Sequence, residues 1–293
     1  MSGDTRSFAY ESMGTHWRVM LRDVVDDATW QKMQESILQQ SEEFDHTYSR
    51  FIKRSLVWEL SIKTGVVEVP GDLVSMLRWY EKFNSCTDGK CNPLVGFALS
   101  DMGYDADYSL QPKREIRRVP AFRETVQIID DTHIKLSEPV LIDVGGLGKG
   151  FFVDKIASFL RGQGYKQYLV DGSGDIFYQG DGTPICAGLE HPDDPAKVIG
   201  VIEVYGGSLC GSAGNRRKWD KYHHIIDPDS LTSPKDIIAL WVLAESAVLA
   251  DGLTTCLFFS DPDELRKQWK FEYCMLNSEY KVKRSPGFTA KLF

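Results

Sequence analysis

Residues 141–150 read Leu-Ile-Asp-Val-Gly-Gly-Leu-Gly-Lys-Gly, and a helical pattern follows them over Phe151–Leu160. The apolar run predicts a strand over Val140–Val144, which brings Asp143 to the start of the glycine turn. Glycines let a backbone approach a ligand closely, and a helix N-terminus beside Lys149 favours an anion. The segment therefore predicts either a phosphate-binding turn or a plain tight turn, because its spacing matches neither common nucleotide-binding motif.

The elements around this turn indicate an α+β fold, because strands often follow strands and helices lie between groups of strands. Helical spacing predicts helices over Asp27–Tyr48, with Asp27 as the cap, and over Pro70–Ser85, Ser246–Phe259 and Asp261–Trp269. Strand-like runs are Phe8–Leu21, Thr125–Ile129, His133–Leu136, Tyr168–Asp171, Ile185–Leu189, Val198–Tyr205 and Ile237–Ala244, with a closing hairpin of Glu272–Leu276 and Glu279–Lys283. We expect a single domain over residues 1–293, and the charged segment 111–123 leaves a division into two lobes open.

The totals exclude several classes of function. The chain has 293 residues, with 34 Lys and Arg against 42 Asp and Glu, which gives a formal net charge of −8. An acidic surface repels phosphate backbones, so we expect no nucleic-acid partner. Residues 1–17 contain no apolar signal segment and no run is long enough to span a membrane, which predicts a cytoplasmic protein without a membrane anchor. The six cysteines form no Cys-x-x-Cys pair and are expected to be reduced thiols.

A second informative segment contains Asp251 and Thr255. In a helix these residues are four apart and share one face, so a carboxylate and a hydroxyl lie together. Mg2+ prefers such oxygen ligands and often shares them with substrate phosphates. The spacing alone favours the alternative, in which Asp251 caps the helix and Thr255 bonds back to the backbone.

A third segment, residues 222–228, reads Tyr-His-His-Ile-Ile-Asp-Pro. Neighbouring side chains in an extended segment point to opposite faces, so His223 and His224 are poor joint ligands for zinc. No further His or Cys stands at a zinc-like spacing. The pattern favours a structural or substrate-positioning role for the histidines over metal binding.

Taken in order, these segments resemble the ApbE family of FAD:protein FMN transferases. The matching segments are Met13-Gly14-Thr15, Tyr48–Ser55, Pro93–Val95 with Met102–Tyr104, Asp143–Gly150, His224–Pro228 and Ala250–Cys256. The chain departs from the family pattern where Met102 and Tyr104 replace a Trp and a Phe, and where no glycine completes the motif that follows Asp227 and Pro228. The resemblance implies an ApbE-like, T-fold-related architecture of mixed, largely antiparallel sheets packed with helices.

The resemblance also implies a reaction, the Mg2+-dependent transfer of FMN from FAD to a Ser or Thr hydroxyl of an acceptor flavoprotein, with release of AMP. It places the metal on Asp251, Thr255 and the backbone carbonyl of Gly146. It places Asp143 and Lys149 near the diphosphate and adenosine side of FAD. The remaining residues expected to bind FAD are Met13, Phe51, Met102, Gly103, Tyr104 and Ile225.

Within this implied site, His224 and Asp251 are the expected catalytic residues. His224 is the best candidate for a general base, because an unperturbed imidazole titrates near neutrality. Two other functions stay open: an FAD pyrophosphatase that yields FMN and AMP, and an FAD-binding protein without catalysis. The pairing of Asp251 with Thr255 argues against the second of these.

Overall fold

The computed structural model describes residues 5–214 and 217–293. Its helices are α1 (Asp27–Tyr48), α2 (Leu56–Leu60), α3 (Gly71–Cys86), α4 (Gly96–Asp101), α5 (Phe122–Thr125), α6 (Gly148–Gly162), α7 (Ala247–Cys256) and α8 (Pro262–Leu265). The cap of α1 is Asp26 and not the predicted Asp27, because the Asp26 carboxylate accepts the N–H of Thr29 at 2.9 Å. Within the described residues, no helix is both long and apolar enough to cross a membrane.

The strands form one large sheet and three small ones. They are β1 (Arg6–Ser12), β2 (Thr15–Leu21), β3 (Gly65–Glu68), β4 (Val126–Ile128), β5 (His133–Leu136), β6 (Tyr168–Asp171), β7 (Ile176–Gln179), β8 (Ile185–His191), β9 (Asp194–Val204), β10 (Gly207–Ala213), β11 (Lys218–Trp219), β12 (Tyr222–His223), β13 (Ile237–Ala244), β14 (Glu272–Asn277), β15 (Val282–Arg284) and β16 (Lys291–Leu292). The central sheet has the order β1-β2-β6-β7-β10-β13-β14-β15, and the others are β16-β9-β8, β3-β5-β4 and β11-β12. All these strand pairs are antiparallel, which confirms the predicted fold class.

The central sheet is covered on both faces, and alternate residues of its strands belong to different cores. In β13, Leu240 and Val242 pack with the cluster formed by α1, α3, α6 and α7, whereas Ala239 and Trp241 pack with the cluster that includes β8 and β9. Burial of both faces explains why this strand is a continuous apolar run in the sequence. The helix-side cluster contains residues from both sides of segment 111–123. The single domain over residues 1–293 stays a prediction.

The strand predicted over Val140–Val144 is wrong. The N–H of Asp143 donates to the carbonyl of Pro93 at 2.7 Å, so the segment docks on the short 3-10 helix Pro93–Val95 instead of pairing with a strand. The contact is close, because a Cβ on Gly96 would lie 2.3 Å from the carbonyl oxygen of Leu141. Helix α6 begins earlier than predicted, so the last glycines of the loop lie in its first turn.

Gly252 is the point at which α7 meets α3, since an added Cβ would lie 2.1 Å from the Phe83 ring. We expect Gly252→Ala to lower the free energy of unfolding by about 1–3 kcal/mol through overpacking, although alanine is the better helix former by about 1 kcal/mol. Gly162→Ala in α6 is the matched control, because nothing lies within 4 Å of its added Cβ. Urea denaturation measures both variants, and equal stabilities would contradict the close approach.

Candidate functional site

A cavity of about 640 Å³ opens beside the glycine turn and helix α7. Its volume lies in the range of about 300–1,000 Å³ that is typical of ligand pockets. The predicted site residues in its wall are Met13, Phe51, Tyr104, Asp143, Gly146, Lys149, His224, Ile225, Asp251 and Thr255. Folding therefore gathers residues from six distant segments of the sequence around one space.

Two predicted residues, Met102 and Gly103, do not belong to this wall. Met102 is fully buried, and its carbonyl accepts the indole N–H of Trp219 at 2.7 Å. Gly103 has a φ of +99°, and a Cβ there would lie 2.4 Å from the backbone nitrogen of Gln111. A direct contact of either residue with FAD stays a prediction.

The three expected metal ligands lie on facing parts of the glycine turn and α7. The hydroxyl of Thr255 donates to the carbonyl of Gly146 at 3.0 Å. The N–H of Gly150 donates to Oδ2 of Asp251 at 2.9 Å. This approach requires glycine, because a Cβ at position 150 would lie 2.2 Å from the carbonyl oxygen of Ala247.

The chemistry of this cluster fits a hard divalent cation. Asp251 is 5% exposed, and no cationic side chain in residues 5–214 or 217–293 forms an ion pair with it. A carboxylate, a hydroxyl and a carbonyl are the oxygen ligands that Mg2+ prefers. The described residues contain no group of three or more His, Cys, Asp or Glu suited to a metal. Besides the single carboxylate of Asp251, such an ion would therefore depend on the hydroxyl, the carbonyl and substrate oxygens.

Tyr80 of α3 holds the glycine turn in place, and it is not among the residues predicted for the site. Its hydroxyl donates to the carbonyl of Asp143 at 3.3 Å and accepts the N–H of Gly146 at 3.2 Å. Burial raises the pKa of Tyr80 well above its ordinary value, so the hydroxyl stays protonated. Nothing in the helical spacing distinguishes this tyrosine from its apolar neighbours.

Arg50 is a second site residue that was not predicted from the sequence. Its side chain is 2% exposed, and its Nε donates to Oδ2 of Asp143 at 2.6 Å. One terminal nitrogen donates to the carbonyl of Tyr104 at 2.7 Å, and the guanidinium lies 4.2 Å from the ring centroid of Phe51. Arg50 thus joins the glycine turn to the aromatic wall, and its position inside the matching segment Tyr48–Ser55 was the available signal.

The polar groups expected to hold FAD already have partners within the protein. Asp143 accepts from Arg50 with one oxygen and from the N–H of Gly145 at 2.7 Å with the other. Lys149 forms an ion pair with Asp175, which is 1% exposed. These contacts fix both side chains at the cavity, and their roles toward FAD stay predictions.

The two adjacent histidines have different surroundings, in agreement with their predicted opposite faces. His223 is buried, with its Nε2 bonded to the carbonyl of Pro234 at 2.8 Å and its Nδ1 accepting the N–H of Ile225 at 3.3 Å. Burial lowers the pKa of His223, which keeps the ring neutral. His224 is half-buried in the cavity wall, where it can meet a ligand.

The loop that carries His224 is tied to the rest of the site by Lys90. The Lys90 ammonium donates to both carboxylate oxygens of Asp227 at 2.8 and 2.9 Å and to Asp229 at 2.7 Å. Burial lowers the pKa of Lys90, but the hydrogen bonds and charges of the two carboxylates outweigh it and raise the pKa overall, which keeps the ammonium charged at neutral pH. Lys90 is a third residue that the sequence analysis did not single out, because its partners lie far away in the sequence.

Two known proteins resemble the chain over most of its length. The chain is similar to the FAD:protein FMN transferase of Vibrio cholerae serotype O1, with 26% identity over 269 residues that cover 84% of this chain and 78% of the relative. It is also similar to the FAD:protein FMN transferase of Haemophilus influenzae, with 26% identity over 281 residues that cover 88% and 81%.

Solved structures share the fold of the chain. The ApbE protein from Thermotoga maritima has a TM-score of 0.84 at 22% identity, over 97% of this chain and 98% of that one. The flavin transferase ApbE from Vibrio cholerae has a TM-score of 0.78 at 22% identity and the same coverage. The model of the ApbE family matches residues 13–274, and the chain therefore belongs to the ApbE family.

Proposed function

We propose that this protein transfers the FMN part of FAD to a Ser or Thr hydroxyl of an acceptor flavoprotein, with Mg2+ as the required metal and AMP as the leaving product. The shared name of its relatives, FAD:protein FMN transferase, supports the substrate and the class of acceptor. The observation that carries the proposal is a single cavity that joins the oxygen cluster of Asp251 and Thr255 to the aromatic wall of Phe51 and Tyr104. This combination suits a ligand with both a diphosphate and flat rings.

Asp251, Thr255 and the carbonyl of Gly146 would hold the metal. When bound, Mg2+ neutralises charge on the phosphoryl oxygens, which otherwise repel an incoming nucleophile. The protein prepares the ligands: Gly150 orients one oxygen of Asp251, and Tyr80 fixes the turn that presents the Gly146 carbonyl. Positioning of this kind is the main contribution that a protein makes to phosphoryl transfer.

In the proposed step, the acceptor oxygen forms a bond to the FMN phosphorus while the bond from that phosphorus to the bridging oxygen breaks. AMP leaves with the bridging oxygen, and the proton of the acceptor hydroxyl moves to a base. His224 is the proposed base, since it lies in the cavity wall on a loop that Lys90 and Asp227 hold in place. A neutral imidazole suits this task near neutral pH.

The proposed place of action is the cytoplasm. All six cysteines of the chain are free thiols in the structure, and four of them are buried. Free thiols persist where glutathione and thioredoxin keep cysteines reduced, which supports this location.

We expect Asp251→Asn to abolish FMN transfer while it keeps part of the FAD binding. Asn preserves the size of the side chain but removes the charge that attracts a divalent cation. Thr255→Val should reduce transfer less, because it removes a neutral ligand. The measurement combines AMP release from FAD in the presence of Mg2+ with the mass of a candidate acceptor. Asp263→Asn, at an exposed position of α8, is the control that should keep full activity.

The same assay separates the proposed function from its alternatives. Release of AMP that depends on the acceptor supports the transferase, and release without an acceptor indicates an FAD pyrophosphatase. Tight FAD binding with no AMP under either condition indicates a binding protein. Asp251 lies inside α7 and does not cap it, and an Asn could keep the hydrogen bond from the N–H of Gly150 but could not supply an anionic ligand. Full transfer by Asp251→Asn would therefore overturn the metal assignment.

Phe51 should contribute to FAD affinity through its ring. The ring lies 5.2 Å from that of Tyr108 with an interplanar angle of 17°, at the cavity wall. We expect Phe51→Leu to raise the Kd for FAD by about 2- to 13-fold, which corresponds to the roughly 0.5–1.5 kcal/mol of an aromatic pair. Quenching of FAD fluorescence measures the Kd. Trp58→Leu, outside the cavity, is the control and should leave the Kd unchanged. An unchanged Kd in Phe51→Leu would show that this residue does not belong to the FAD site.

A further inference from the structure

Polar contacts connect the α6 segment to α7 at regular four-residue intervals. Gly146 meets Thr255 in the first contact, and Gly150 meets Asp251 in the second. The residue numbers rise by four along one segment and fall by four along the other, as expected for antiparallel elements whose facing residues are one helical turn apart. The next contact in this series lies beyond the expected metal ligands, at Asp154 of α6.

Asp154 accepts two backbone N–H groups at the start of α7. Its Oδ1 accepts from Ala247 and its Oδ2 from Val248, each at 2.9 Å. The residue before the helix, Ser246, makes no capping hydrogen bond with its own side chain. Helix α7 is thus capped by a carboxylate from the neighbouring helix, which a sequence search for local caps cannot find.

We propose that Asp154 is a positioning residue for the metal centre: it fixes the first turn of α7 against α6 and so places Asp251 and Thr255 opposite the carbonyl of Gly146. The inference rests on the proposed function, because it concerns the same three ligands. Asp154 touches none of them and acts only through the position of the helix. Residues that hydrogen-bond a metal ligand directly commonly change metal affinity about 10- to 100-fold when they are replaced, and we expect Asp154 to have an effect within that range.

Two features make the carboxylate specific for this role. Both of its oxygens are used, whereas an Asn would accept one N–H and present its own NH2 group to the other. Burial raises the pKa of Asp154 to about 6, with the charge of Asp251 adding to the rise and the two N–H groups and Arg161 opposing it. The group is therefore ionised at neutral pH and can accept both hydrogen bonds.

The test is a calorimetric titration of Mg2+ into the FAD-loaded protein. We expect Asp154→Asn to raise the Kd for Mg2+ about 10- to 100-fold, to leave the Kd for FAD without Mg2+ unchanged, and to regain transfer activity at saturating Mg2+. Asp26→Ala is the matched control: it removes a cap from α1, far from the site, and should lower the melting temperature without changing the Kd for Mg2+.

A second variant separates positioning from simple helix stability. Ser246→Asp in the Asp154→Asn background supplies a local cap to α7 without tying it to α6. We expect this double variant to regain thermal stability and to keep the weak Mg2+ binding. Two results would overturn this inference but leave the metal assignment intact. One is recovery of Mg2+ affinity in the double variant, and the other is an unchanged Kd for Mg2+ in Asp154→Asn when Asp251→Asn binds Mg2+ more weakly. Absence of Mg2+ binding by the wild-type protein would overturn the metal assignment and the inference with it.

Discussion

The close contact between α6 and α7 is the constraint on which the site depends. Gly150 permits it, because a Cβ at this position would lie 2.6 Å from the Cβ of Asp251. The contact brings a carboxylate into the interior beside a backbone N–H, which offsets part of the cost of burying it. The same separation sets the distance between Thr255 and the glycine turn. The packing of α6 against α7 therefore determines the relative positions of the three proposed metal ligands.

The charges around the cavity follow from this arrangement. Arg50 pairs with Asp143, Lys149 with Asp175, and Lys90 with Asp227, so these three cations are held by carboxylates of the protein itself. Asp251 has no such partner among the described residues. A buried carboxylate without a cation is costly in a low-dielectric interior, and a bound divalent ion relieves that cost. This balance of charge is the basis for the proposed cation at Asp251 and for an anionic ligand that would bring further oxygens to it.

The sequence predicted the elements whose patterns are local. The long helix α1 shows helical spacing, and β13 shows the apolar run of a strand with both faces buried. The strand β10 was missed, since its glycines and small residues have low strand propensity and only its pairing with β7 and β13 makes it a strand. Val140–Val144 is the opposite case: its apolar pattern suits a strand, but the N–H of Asp143 donates to a short 3-10 helix at Pro93.

The same distinction separates the site residues that could be predicted from those that could not. Asp251 and Thr255 lie one helical turn apart, so their spacing indicates a shared face before any tertiary structure is known. Tyr80 and Asp154 act on atoms about 66 and 93 positions away, and the identity of those partners depends on how helices pack. Their side chains look like ordinary core and surface residues in the sequence. The proposed metal ligands can therefore be recognised from short segments of this chain, whereas the residues that position them depend on how the helices pack.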